Sequence, residues 1–86
     1  MLKGVIPDGW QPTRSSAIES FRYDAAAGVL QLLFIEGRLV YDYPCDERMF
    51  ARFVSASSKG GFVNEVLKPN AKALGWSRPP RKWAGG

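Results

Sequence analysis

Val29-Leu30-Gln31-Leu32-Leu33-Phe34-Ile35-Glu36-Gly37-Arg38-Leu39-Val40-Tyr41-Asp42-Tyr43 reads as two strands joined by a turn. Side chains alternate between the two faces of a strand. In residues 29–35, Leu30, Leu32 and Phe34 therefore share one face, and Val29, Gln31, Leu33 and Ile35 share the other. Glu36-Gly37 supplies a two-residue turn with glycine in second place, a hairpin signal. Residues 38–43 return with Leu39, Tyr41 and Tyr43 on one face and Arg38, Val40 and Asp42 on the other.

Working outward, residues 15–23 read as a further strand, with Phe21 and Tyr23 alternating around Arg22 and Ile18 ahead of them. Asp24-Ala25-Ala26-Ala27-Gly28 is the turn between this strand and the hairpin. Downstream, Pro44 ends the strand and Asp46 is placed to cap a helix running to about Ser57. Met49, Phe50, Phe53 and Val54 recur at helical spacing as its apolar stripe. Lys59-Gly60-Gly61 interrupts the helix, with one glycine as its C-cap. A second helix follows with Phe62 and Val66 inward, joined by Val63 and Leu67. Pro69-Asn70 stops it, and a further turn is available at 71–74.

The fold class is thus α+β: a three-stranded antiparallel β-meander packed on one face by two C-terminal helices, in the order β-β-β-α-α. A fourth short strand fits at either end. The expected core is Ile18, Phe21, Leu30, Leu32, Phe34, Leu39, Tyr41, Tyr43, Phe50, Phe53, Val54 and Phe62. Residues 1–14 carry Gly4, Pro7, Asp8-Gly9 and Pro12 and read as an irregular lead-in, with Trp10 as a lid. Residues 15–68 form the domain. Residues 69–86 form a basic tail with tryptophans and prolines, extended or disordered after Gly75.

Eighty-six residues suffice for one small domain. The chain is 45% hydrophobic, enough for a core and against wholesale disorder. It has no histidine, so the commonest general base and metal ligand is missing. A single cysteine, Cys45, makes neither a disulfide nor a zinc site and suits a reducing cytoplasm. No apolar run is long enough to span a bilayer, and Met1-Leu2-Lys3-Gly4 lacks the apolar core of a signal peptide. Residues 1–67 carry seven Lys/Arg and all eight acids, a net charge of −1; residues 68–86 carry five cations and no acid, net +5. The basic character belongs to the C-terminal segment.

Tyr41 and Tyr43 share a face and read either as a base-stacking platform or as core beneath the helix. Ser57, Ser58, Lys59, Gly60, Gly61 and Asn64 read either as an anion site of converging N–H groups or as a helix–helix joint; the spacing is not that of a P-loop. Ser15 and Ser16 lack a base, so their hydroxyls are expected to bond the neighbouring backbone. Cys45 is read as incidental. The tail interleaves Lys72, Arg78, Arg81 and Lys82 with Trp76 and Trp83, which suits nucleic acid: cations neutralise phosphate and indoles stack on bases. A solubilising tail and an anionic membrane surface are the other readings, without an amphipathic helix to insert. The five cations of residues 68–86 on a single strand imply a log–log salt slope of about −3.5, at about 0.7 per phosphate.

The ordered set of short motifs resembles the KTSC domain family. Its elements here are Ser15-Ser16-Ala17-Ile18, Tyr23-Asp24, Leu30-Gln31-Leu32-Leu33-Phe34, Gly37, Tyr41-Asp42-Tyr43 and Ala56-Ser57-Ser58-Lys59-Gly60, then Phe62 and Asn64. The resemblance covers residues 15–68. The family is named from its occurrence at the C-terminus of some lysyl-tRNA synthetases and also occurs as small stand-alone bacterial or phage proteins. The resemblance implies no established activity; RNA binding is suggested by the association with a synthetase. The expectation is a non-catalytic, cytoplasmic binding module without cofactors or metal. Its nucleic-acid contacts are drawn from Tyr41, Tyr43, Lys59, Gly60, Asn64, Lys68, Lys72, Trp76, Arg78, Arg81, Lys82 and Trp83. The rival reading is a protein–protein interaction or small assembly module. An RNA binder should present one positive face joining Lys59, Lys68, Lys72 and the tail; an interaction module should present an apolar patch or open strand edge.

Overall fold

In the computed structural model, which describes residues 9–83, the hairpin of 29–43 lies at the centre of a five-stranded antiparallel sheet of order β1-β2-β3-β4-β5. The strands are β1 (Gln11–Pro12), β2 (Ile18–Asp24), β3 (Val29–Phe34), β4 (Leu39–Pro44) and β5 (Arg81–Lys82). The three expected strands are β2, β3 and β4. The two additional strands are two-residue edges contributed by the lead-in and the tail. Neither has a hydrophobic alternation long enough to be seen in the sequence, and each exists only because a neighbouring strand offers it a ladder. The lead-in residues before Gly9 and the closing residues after Trp83 lie outside the described residues.

Cross-strand pairing fixes the faces. Phe21 pairs Leu32 and Leu32 pairs Tyr41; Tyr23 pairs Leu30 and Leu30 pairs Tyr43. The register shifts between Ile18 and Ser20, so a bulge at Glu19 returns Ile18 to the same face as Phe21. Ser15 Oγ accepts from the N–H groups of Ala17 and Ile18 and so satisfies the backbone at the start of this strand. The β3–β4 turn is wider than two residues. The last pair is Leu33 with Val40, and Gly37 (φ 76°) and Arg38 (φ 51°) both take left-handed backbone in the tight turn Glu36–Arg38.

The helices cover this face. Helix α1 (Glu47–Ser55) starts as expected: Asp46 Oδ1 accepts from Met49 N–H at 2.8 Å. Phe53 is fully buried, and Phe50 stacks on Tyr23 with centroids 4.3 Å apart. Val54, expected in the core, is 49% exposed. It lies about 100° round the helix from Phe53, and α1 buries only a narrow stripe.

The glycine pair does not end α1. Ala56 leaves the helix, and Ser58 caps a new one, accepting from Gly61 N–H at 3.1 Å. Helix α2 (Lys59–Phe62) therefore contains both glycines and runs through a π-helical segment, Val63–Leu67, into α3 (Lys68–Ala73). Pro69 does not stop this rod, contrary to expectation. A proline inside an α-helix removes a donor and crowds the preceding turn. Here the preceding turn is wide, with Lys68 N–H bonding Val63 carbonyl, so the ring is accommodated. The same segment turns Val63 and Leu67 inward, and with Ala71 they join Phe53, Phe62, Leu30, Leu32 and Tyr43 in one core. Gly75 (φ 70°) closes α3 with N–H bonds from Gly75 to Lys72 carbonyl and from Trp76 to Ala71 carbonyl, a Schellman ending.

The other face is covered differently. Leu33, Val40 and Ser20 stand in one cross-strand row there and are buried, although the helices pack on the opposite side. Outer strands of a flat five-stranded sheet would lie about 19 Å apart at the usual spacing. Yet Trp10, just before β1, meets Trp83, just after β5, edge to face with centroids 5.0 Å apart. The sheet therefore curls, and the tryptophan pair bridges its two edges over that row. Trp10 is a lid, as expected, but its partner is the tail. Residues 76–83 are extended and docked along β4 rather than free.

Candidate functional site

Along the outer edge of β4, three elements enclose an open groove of about 640 Å³. Tyr41, Asp42 and Tyr43 form its floor, Lys68, Ala71 and Lys72 of α3 one wall, and Trp76–Pro79 the other. A smaller hollow of about 220 Å³ shares Tyr41, Tyr43 and Lys68 and extends the groove toward Phe34, Glu36 and Leu39.

Local rules place each group. Tyr41 and Tyr43 are two apart in a strand and so face the same way; their rings lie 8° from parallel with centroids 6.3 Å apart. Tyr43 is buried, and burial first, then the neighbouring Tyr41, raises its phenol pKa above the ordinary 10.0. Tyr41 is half-buried, edge-on to Phe34 at 5.0 Å. Tyr43 thus belongs to the core, and Tyr41 is the ring set at the groove. Lys68 and Lys72 are four apart on α3 and so line one side of it. The Schellman ending fixes Trp76, whose Nε1 donates to Asp42 carbonyl at 2.9 Å, closing the strand edge at that point. Arg78 lays its guanidinium over the Trp76 indole, 4.5 Å from the ring centre.

The groove brings together Tyr41, Tyr43, Lys68, Lys72, Trp76 and Arg78 from the set read in the sequence. The remaining members stand elsewhere. Lys59 donates to the carbonyls of Val54 (3.0 Å) and Ala56 (2.9 Å) and sits over the Phe53 ring, closing the C-terminal end of α1. Gly60 packs against Ala17, and Asn64 is exposed on the π-helical segment. The serine–lysine–glycine element is accordingly a helix joint. Arg81 binds Asp42 outside the groove lining, Lys82 pairs Leu39 in β5, and Trp83 packs on Trp10. Lys59 is thus turned to the end of α1 and is not part of the groove lining.

Asp42 is the residue missed by sequence reading. Its side chain is 6% exposed, and its Oδ2 accepts from Arg78 at 3.2 Å and from Arg81 at 2.9 Å. The signal available was an acid flanked by tyrosines in a chain whose tail has cations and no acid. Cys45 is buried, and burial first, then Asp46, raises its thiol pKa from 9.0 to about 11, which makes it unreactive at neutral pH. Among the described residues, no three His, Cys, Asp or Glu side chains cluster to hold a metal ion, and no helix is long and apolar enough to cross a membrane.

Comparison with known proteins adds three findings. The family model for the KTSC domain matches residues 14–70. A protein of Tsukamurella paurometabola is 39% identical over 64 residues, spanning 74% of this chain and 96% of the relative. The crystal structure of a KTSC domain protein from Yersinia pestis superposes with a TM-score of 0.67 at 34% identity, covering 87% of this chain and 96% of that one.

Proposed function

The chain belongs to the KTSC domain family, and from that premise we propose that it is a small non-catalytic module that binds single-stranded RNA in the β4–α3 groove. One observation carries the reading: three cations, Lys68, Lys72 and Arg78, line an open groove together with the rings of Tyr41 and Trp76. Cations spaced along a groove neutralise successive phosphates, and a ring between them offers a stacking surface that any base can use. Each stacked base contributes about 1–3 kcal/mol. A lone buried thiol suits the reducing cytoplasm as the compartment.

The test is an amide-shift titration of labelled protein with a short single-stranded oligoribonucleotide at two salt concentrations. Saturable shifts at Tyr41, Lys68, Lys72, Trp76 and Arg78 that weaken with salt are the expected result. Absence of shifts at millimolar RNA sinks the RNA reading and leaves a protein partner for the groove.

A further inference from the structure

We infer that Asp42 is a latch: its buried carboxylate holds residues 76–83 on the sheet and thereby makes the outer wall of the groove. This rests on the fold alone and stands whatever the groove binds. The backbone of the segment is weakly held. Its ladder to β4 has two residue pairs, Leu39 with Lys82 and Val40 with Arg81, plus Trp83 N–H to Arg38 carbonyl at 2.9 Å. Pro79 and Pro80 have no N–H to extend it. The side chains of Arg78 and Arg81 are half-exposed and cannot hold the segment by burial.

The anchors converge instead on one residue. Trp76 takes the Asp42 carbonyl, and Arg78 and Arg81 both take Oδ2. Arg81 stands opposite Val40, on the sheet face that Asp42 shares with Gln31, so it reaches the carboxylate as a diagonal neighbour. Arg78 comes from the groove side. One carboxylate oxygen therefore ties both ends of the Arg78–Arg81 span. Its other oxygen, Oδ1, is buried with no hydrogen-bond partner among the described residues. A buried anion of this kind is tolerated because of its cationic partners, and it loses that compensation if the segment lifts. The groove wall Trp76–Pro79 and the Trp10–Trp83 bridge across the sheet both depend on the same segment staying down.

The test uses the full chain and two variants, Asp42→Asn and the double variant Arg78→Gln/Arg81→Gln, which leaves β2, β3 and β4 untouched. Trypsin cleavage after Lys82 and hydrogen exchange at the Trp83 N–H report the segment; exchange at β2 and β3 reports the sheet. The expected result is cleavage after Lys82 at least ten-fold faster in both variants and faster exchange at Trp83, with β2 and β3 still protected. Wild-type cleavage and exchange in the arginine variant overturns the inference. So does a loss of protection in that variant spread equally over β2 and β3, which would make the pairs general supports of the fold. If Asp42→Asn fails to fold, the arginine variant decides alone.

Discussion

Phe53 is the largest of the fully buried side chains, edge-on to Phe21 at 5.2 Å and to Phe62 at 5.8 Å. It joins α1, β2 and α2 through one ring. Phe53→Ala removes that ring and leaves a cavity, at a cost of about 3–5 kcal/mol. A domain of this size has a total stability of roughly 4–13 kcal/mol, so urea denaturation should show a loss that is about a quarter or more of the total; a loss below about 1 kcal/mol would mean that the core collapses around the gap. Cys45 gives a prediction of a different kind. Its folded thiol pKa, about 11, lies above the ordinary 9.0. A raised folded pKa favours the protonated form in the native state, so this contribution is complete below pH 9 and is lost as pH rises through 11. By pH 10 the loss is about 1.4 kcal/mol, one pKa unit of difference. Tyr23 and Tyr43, whose pKa values are raised from 10.0, add a smaller loss of the same sign that begins just below pH 10. Urea midpoints taken at pH 7, 9 and 10 should therefore fall between pH 9 and 10 in the wild type and fall by clearly less in Cys45→Ala; an equal fall in both would assign the loss elsewhere.

The two glycines of α2 separate at the scale of elements. A helical glycine costs about 0.5–1 kcal/mol relative to alanine. At Gly60 an added Cβ would meet only Ala17 Cβ at 3.5 Å, an ordinary contact. At Gly61 it would meet Ser58 Oγ at 3.0 Å, the atom that caps the helix. Gly60→Ala should therefore raise the melting temperature by several degrees, at about 4–8 °C per kcal/mol. Gly61→Ala should gain nothing, because the displaced cap costs about 1 kcal/mol; equal gains in both would remove Ser58 from its capping role. The same joint shows what was legible beforehand. Strands β2, β3 and β4 and the start of α1 follow from alternation, turn residues and one capping aspartate, all of them local signals. The continuation through Pro69 depends on a wide turn at 63–67 that local propensity does not encode. Leu33 and Val40 read as the outer face of a two-layer meander. They are buried because the sheet curls until Trp10 reaches Trp83, a contact between the two ends of the described chain.

For the whole molecule, the consequence is that the basic tail is divided. The aromatic pair and the cations of the groove were readable, since two residues two apart in a strand must share a face and five cations without an acid must concentrate charge. How the fold distributes those cations was not readable, because it depends on Asp42 meeting residues more than thirty positions away. Lys68, Lys72 and Arg78 line the groove; Arg81 lies outside its lining, and Lys82 lies in the edge strand. RNA lying in the groove meets three cations rather than five. At about 0.7 per phosphate on a single strand, the log–log salt dependence should have a slope of about −2, not −3.5. Fluorescence anisotropy of a labelled single-stranded oligoribonucleotide over a salt series measures it. Lys68→Gln/Lys72→Gln should leave about −0.7, because only Arg78 then remains at the groove. A wild-type slope near −3.5 would place the RNA along the entire tail and remove the groove as its site. A slope near zero would take phosphate contact out of the interaction altogether.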